Sequence, residues 1–153
     1  MRELHFEPIE RAPAAYAAMA RLWEAACGPA FSVTDDFIAY NLQPTPGLAQ
    51  EGRFVCQEGA PMGFVVASAL MDAPPEIRAH RGWIDAVAVA PTAQGRGIGS
   101  ALLDWAEAWL WEQGCSRVDL GGSFRPFFPG LPITLGTRPF FEQRGYTFEY
   151  ETW

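Results

Sequence analysis

The chain has no lysine: all eleven of its basic residues are arginine. That absence excludes the phosphate loop GxxxxGK[ST], which needs its lysine to reach the phosphates. Cysteine is scarce and odd in number, with Cys27, Cys56 and Cys115 far apart and no CxxC. Neither a disulfide framework nor structural zinc fits that spacing, and no metal is expected. Buried free thiols in a reducing compartment are the expectation instead. No apolar run approaches the roughly 20 residues of a membrane span. The N-terminal MRELHFEPIE has no basic segment leading into an apolar one, so it does not read as a secretory signal. The expected location is the cytoplasm. Positive charge is the minority sign, and the formal net charge is −7. An acidic chain without a basic cluster is a poor partner for nucleic acid or an anionic membrane, and suits a cationic partner better.

What is present reads as one domain over residues 1–153, long enough for a proper core, with 49% hydrophobic and 14% aromatic residues. Leu4 and Phe6 alternate with polar neighbours as a first strand. Pro13 opens a helix on which Tyr16, Met19, Ala20, Trp23 and Cys27 fall at helical spacing, and Gly28 stops it. Thr34 caps a shorter helix with Asp35 and Asp36 in its first turn, ended by Pro44 and Pro46. Residues 53–57 and 62–70 read as a β-hairpin. Trp83–Ala90 reads as a strand buried on both faces, stopped by Pro91. The strongest helix runs from Gly97 to Gln113, with Ile98, Leu102, Trp105 and Trp109 as its apolar stripe. RVDLGG at 117–122 is the next strand. The irregular segment 123–136, a short helix at 138–145 and a final strand at 146–153 follow. The order is β-α-α-β-β-β-α-β-α-β. Antiparallel strands followed by a β-α-β unit imply a mixed sheet.

The stretch APTAQGRGIGSALL, Ala90 to Leu103, places Gly95, Gly97 and Gly99 within five positions just before a helix. The first turn of a helix leaves backbone N–H groups without intrahelical partners at the positive end of the macrodipole. That is an anion site, best suited to phosphate. Side chains at the three glycines would block close approach, and Arg96 adds charge-assisted donors at the rim. The dinucleotide fingerprint GxGxxG fails, because Ser100 stands where glycine is required. The spacing that fits is Q-x-x-G-x-G, formed by Gln94, Gly97 and Gly99, after the V-x-V-x-P of Val87, Val89 and Pro91.

In these features the sequence resembles the GNAT acyltransferases, the GCN5-related N-acetyltransferase superfamily. Their signature [RQ]-x-x-G-x-[GA] follows a strand and opens a helix. A later F-Y-E-x-x-G-F is matched in variant form by FFEQRGY, Phe140 to Tyr146. The element order agrees almost end to end. The resemblance implies an α/β (α+β) fold with a mixed, mostly antiparallel central sheet flanked by helices around a β-α-β acyl-CoA-binding core. It implies acetyl-CoA as acyl donor and an amine acceptor, a small molecule or a peptide. By similarity, the amides of Gln94, Gly95, Arg96, Gly97, Ile98, Gly99 and Ser100 would hold the pyrophosphate. The backbone of Val87 and Val89 would pair with the pantetheine arm where this strand and RVDLGG splay apart. The Val89 amide is the implied donor to the oxyanion.

The catalytic carboxylate is open. The family often carries its base on the strand before the phosphate loop, where Asp85 stands. Strand alternation puts Asp85 on one face with Trp83, Val87 and Val89. It is a candidate base and equally a candidate structural carboxylate. Glu76 and His80 in the preceding loop are alternatives. The general acid is a departure, since Phe141 replaces the tyrosine of the motif and cannot protonate a thiolate. Tyr146 lies past the helix, where the motif expects a core aromatic. A non-catalytic acyl-CoA-binding module, regulatory or partner-binding, is therefore the second reading. Phe124, Arg125, Phe127 and Phe128 read as a lid or dimer contact, and Asp36 and Tyr40 as a possible acceptor wall. The family usually closes with two antiparallel strands after the FFEQRG-like helix, and one is legible here. A homodimer, or a second GNAT domain in a longer protein, is expected to complete the sheet.

Overall fold

The computed structural model describes residues 3–71, 81–121 and 137–147. Five strands form one sheet in the order β1 (Leu4–Pro8), β2 (Leu48–Gln57), β3 (Ala60–Leu70), β4 (Arg81–Val89) and β5 (Arg117–Leu120). The first three pairings are antiparallel, and β4–β5 is parallel. The mixed sheet expected from the sequence is thus present, flanked by helices. The last six residues of the expected final strand lie outside the described residues, as do Glu76, His80, Phe124, Arg125, Phe127 and Phe128.

Helix α1 (Pro13–Cys27) has proline in its first turn and ends at Gly28, whose φ of 90° no other residue type adopts cheaply. Helix α2 (Asp35–Asn41) is capped as the sequence implies: Thr34 Oγ1 accepts from the Phe37 N–H at 3.0 Å. It stops short of Pro44 and Pro46. Helix α3 (Ile98–Glu112) crosses from β4 to β5, and α4 (Arg138–Gln143) follows later.

The hairpin strands are longer than their sequence pattern. Leu48 to Gly52 shows no clean alternation, yet each residue pairs with β3, from Leu48 opposite Leu70 to Gly52 opposite Val66. Cross-strand partners, rather than intrinsic preference, extend the strand there.

The sheet is covered on both faces. On one, Val55, Val65, Ala67, Ala69 and Ile84 pack against Ile98, Leu102, Leu103, Ala106 and Leu110 of α3 and against Phe141 of α4. On the other, Phe54, Cys56, Phe64, Val66, Ala86 and Ala88 pack against Met19, Leu22 and Trp23 of α1 and Ile38 of α2. The buried stripe of α3 differs from the expected one. Trp105 and Trp109 sit at its margin, stacked at 6.3 Å, with the Arg53 guanidinium 4.6 Å over Trp105. Small Ala106 faces the sheet in their place, which lets α3 lie close.

Candidate active site

A short 3-10 turn, Pro91–Ala93, separates β4 from the glycine loop. The first helical bond of α3 runs from the Ala101 N–H to the Gly97 carbonyl at 2.9 Å. The amides of Ile98, Gly99 and Ser100 therefore have no partner inside the helix, and no side chain caps it. Gly95 and Gly97 both have φ of +79°, and a Cβ on either would meet nothing within 4 Å. Backbone conformation demands these two glycines, and the space above them is open. Gly99 is different. A Cβ there would lie 3.3 Å from Phe140 Cζ and 3.7 Å from Val89 Cγ2. Its bareness lets α4 and the end of β4 close on α3, a packing reason that Gly95 and Gly97 do not share.

The side chains around the loop hold it to the sheet. Gln94 Nε2 donates to the Val89 carbonyl at 3.1 Å. Arg96 donates to Thr92 O at 3.3 Å and to Gln57 Oε1 at 3.4 Å while remaining exposed at the rim. Ile98 turns its side chain into the core, 1% exposed, and Ser100 is half-buried in the first turn.

Beside this loop the pairing of β4 stops short among the described residues. β4 and β5 pair only from Arg81 opposite Arg117 to Ile84 opposite Leu120, closed by a Gly121 N–H to Ile84 O bond of 2.9 Å. β4 runs on to Val89, and no described strand pairs with Asp85–Val89 on that edge. The Ala90 N–H points back across to Met62 O on the β3 side, at 2.8 Å. Strand alternation then turns the amides of Val89 and Val87 toward that edge. An extended ligand arm alongside β4 would find those groups and, at its far end, the free amides of α3.

Asp85 is 4% exposed. Ser68 Oγ donates to its Oδ1 at 2.9 Å, and Gln50 Nε2 to its Oδ2 at 3.2 Å. Its expected face is corrected by a bulge. Val66 pairs with Ala86 but Ala67 with Ile84, leaving Asp85 as the extra residue of β4. Val87 and Val89 therefore face α3 opposite Val65 and Gly63, while Asp85 bonds to donors on the α1–α2 face. Asp36 and Tyr40 are exposed on α2, Tyr40 at 60%.

The remaining motif residues are structural. Phe141 is 6% exposed and packs edge-on against Phe140 and Tyr146, with centroids 5.1 and 5.8 Å away. Tyr146 donates to Glu107 Oε1 at 2.8 Å, and Arg144 reaches Asp104 at 2.8 Å and Glu107 at 3.2 Å. Burial first, and then the Glu107 carboxylate, push the Tyr146 hydroxyl well above its ordinary range. Burial also pushes the thiols of half-buried Cys27 and buried Cys56 up to about 11 and raises that of buried Cys115, which favours the protonated, unreactive form of all three. Sequence reasoning missed Gln50 and Ser68. Ser68 had one signal, being the lone hydroxyl in an otherwise apolar strand; Gln50 lay in a stretch with no strand pattern.

Among the described residues, no three His, Cys, Asp or Glu side chains converge as metal ligands. None of the described helices is long and apolar enough to cross a membrane.

A five-stranded, mostly antiparallel sheet flanked by helices matches the fold of the GNAT acetyltransferases. The chain belongs to the acetyltransferase (GNAT) family, whose model matches residues 16–126. Among curated proteins none is significantly similar in sequence. Solved structures share the fold. One is the GCN5-related glucosamine N-acetyltransferase region of a fungal multi-domain β-N-acetylglucosaminidase, 21% identical with a TM-score of 0.80. The match covers 99% of this chain but 18% of that one. A second is the ribosomal-protein-alanine N-acetyltransferase of Brucella melitensis, 19% identical, with a TM-score of 0.65 over 99% of this chain and 97% of that one. A third is an aminoglycoside acetyltransferase from an uncultured soil sample, in complex with sisomicin. It is 17% identical, with a TM-score of 0.67 over 97% and 91% of the two chains.

Proposed function

We propose that the chain transfers an acetyl group from acetyl-CoA to a primary amine by direct attack. The observation that carries this reading is the meeting of two features: the β4 edge that no described strand pairs, with the Val87 and Val89 amides turned to it, and the uncapped amides of α3 at its end. The open, positive-φ turns at Gly95 and Gly97 fit a pyrophosphate. Val87 and Val89 bind the pantetheine arm as a neighbouring strand would. Gln94 fixes the Val89 peptide, whose N–H donates to the oxyanion as the amine adds to the carbonyl carbon.

Asp85 serves as the base. It lies on the α1–α2 face, so the acceptor enters from that side while the pyrophosphate lies at the start of the helix packed on the other. Its carboxylate takes one proton of the ammonium before attack; as the tetrahedral adduct then collapses with loss of the CoA thiolate, the second nitrogen proton passes to water. Phe141 is buried against α3 and brings no hydroxyl to the leaving sulfur, so water protonates the thiolate.

The test is release of free CoA thiol with a panel of amines: glucosamine, sisomicin and a peptide with an N-terminal alanine, the acceptor types named for the three structural relatives. Turnover with any of them, lost in Asp85→Asn while acetyl-CoA still binds, supports the reading. Acetyl-CoA binding without turnover across a wide amine panel supports the non-catalytic module instead.

A further inference from the structure

We propose that Gln50 is a positioning residue for Asp85, setting the direction and the charge state of its carboxylate. This rests on the reading of Asp85 as the base only for its catalytic consequence. Gln50 Nε2 lies 3.2 Å from Asp85 Oδ2 and 3.2 Å from the Asn41 carbonyl at the end of α2, bonding both. Its Oε1 is buried and has no partner among the described residues. Turning the amide over would set that oxygen against two acceptors, so the orientation is fixed by the network. A buried oxygen left unsatisfied is a local disadvantage, accepted here so that the nitrogen can face a carboxylate. Through this one nitrogen, α2 and the base are tied together.

Ser68 Oγ donates to the other carboxylate oxygen at 2.9 Å, and further described side chains lie on the elements packed around this pair. The buried residues of α1 are Met19, Leu22 and Trp23, and those of α2 are Ile38 and Asn41. Tyr16 and Cys27 of α1 are half-buried on that face, and Cys56 of β2 is buried there. On α2, Asp36 and Tyr40 are exposed. Arg11 and Glu51 line, with Gln50, a cavity of about 190 Å³. The Arg11 side chain bonds Leu42 O at 2.6 Å, and Glu51 bonds Arg53 at 2.8 Å. At the start of β4 and β5, Arg81 pairs with Asp119.

The test is the titration of the Asp85 carboxyl carbon by 13C NMR in the parent chain, in Gln50→Met and in Gln50→Glu. Methionine keeps the length of the side chain and removes the donor; glutamate replaces the donor with a like charge. The midpoint rises by about one pH unit or more in Gln50→Met and further in Gln50→Glu. An unmoved midpoint in whichever of the two variants folds overturns the proposal, because a packing role alone leaves the titration in place. Should Asp85→Asn keep full turnover, the base reading falls while the titration result still decides the role of Gln50.

Discussion

Gly97 offers the sharpest separation of backbone conformation from ligand recognition. It caps α3 with φ of 79° and ψ of 8°, and a Cβ there would touch nothing within 4 Å. The cost of Gly97→Ala is thus purely conformational, about 1–2 kcal/mol for a left-handed residue with a side chain. For a chain of 153 residues that lowers Tm by about 2–8 °C. Gly97→Asn falls by less, since asparagine tolerates this region. Gly97→Glu adds a second effect, a carboxylate among the free amides where a pyrophosphate would sit. Two charges about 4 Å apart at an effective dielectric constant near 20 repel by about 4 kcal/mol before screening, so the loss in acetyl-CoA affinity lies between about tenfold and several hundredfold. Thermal denaturation measures the first quantity and calorimetric titration with acetyl-CoA the second. Gly99 is the poorer probe, because a side chain there also pushes on Phe140. A folded Gly97→Glu chain that binds acetyl-CoA as tightly as the parent refutes the phosphate role of the loop. A Gly97→Ala chain as stable as the parent refutes the conformational account.

Three further outcomes follow from the same geometry. Phe141→Tyr places a hydroxyl at a site 6% exposed between Phe140, Tyr146 and α3, costing about 1–3 kcal/mol in urea denaturation; a tenfold rise in kcat would show instead that the hydroxyl reaches the leaving sulfur. Tyr146→Phe removes the 2.8 Å bond to Glu107 and costs about 1 kcal/mol, with acetyl-CoA affinity unchanged by calorimetry. The Cys56 thiol, raised by burial first and by Glu7 second from 9.0 to about 11, favours the folded state while protonated. Its contribution is complete below about pH 9 and is lost as pH rises to about 11, by up to about 1.4 kcal/mol per pH unit. Cys56→Ala therefore shows a flatter decline of denaturation midpoint across that window than the parent.

Where a residue's role is decided by its own backbone and near neighbours, the sequence was legible. Gly28 stops α1, Thr34 caps α2, and Gly95 and Gly97 turn through positive φ, each a consequence of one residue's stereochemistry. The order of the described elements and the mixed sheet followed from periodicity. What escaped was set by residues far away in the chain. Gly99 is small because of Phe140, Ala106 faces the sheet where Trp105 was expected, and Gln50 matters because β2 brings it beside β4.

Asp85 shows why such a distant influence has chemical consequences. Alternation alone puts it in register with Val87 and Val89, facing the apolar side chains of α3, where an ionised carboxylate would lack donors and carry a heavy desolvation cost. One extra residue in β4 relative to β3 moves it to the opposite face. There Ser68 and Gln50 are positioned, by pairing with each other across β2 and β3, to donate to it. The bulge is thus what makes a buried carboxylate tolerable beside this edge of β4, and it does so without disturbing the Val87 and Val89 amides further along the strand. A one-residue deletion at Asp85 leaves Val66 opposite Ala86 and Ala67 opposite Ile84 in regular alternation, so it removes the bulge and the carboxylate while Ala86 and Ala88 still face α1 and Ile84 still faces α3. Asp85→Asn keeps that register and the bulge but forfeits the charge and one of the two acceptors that Ser68 and Gln50 use.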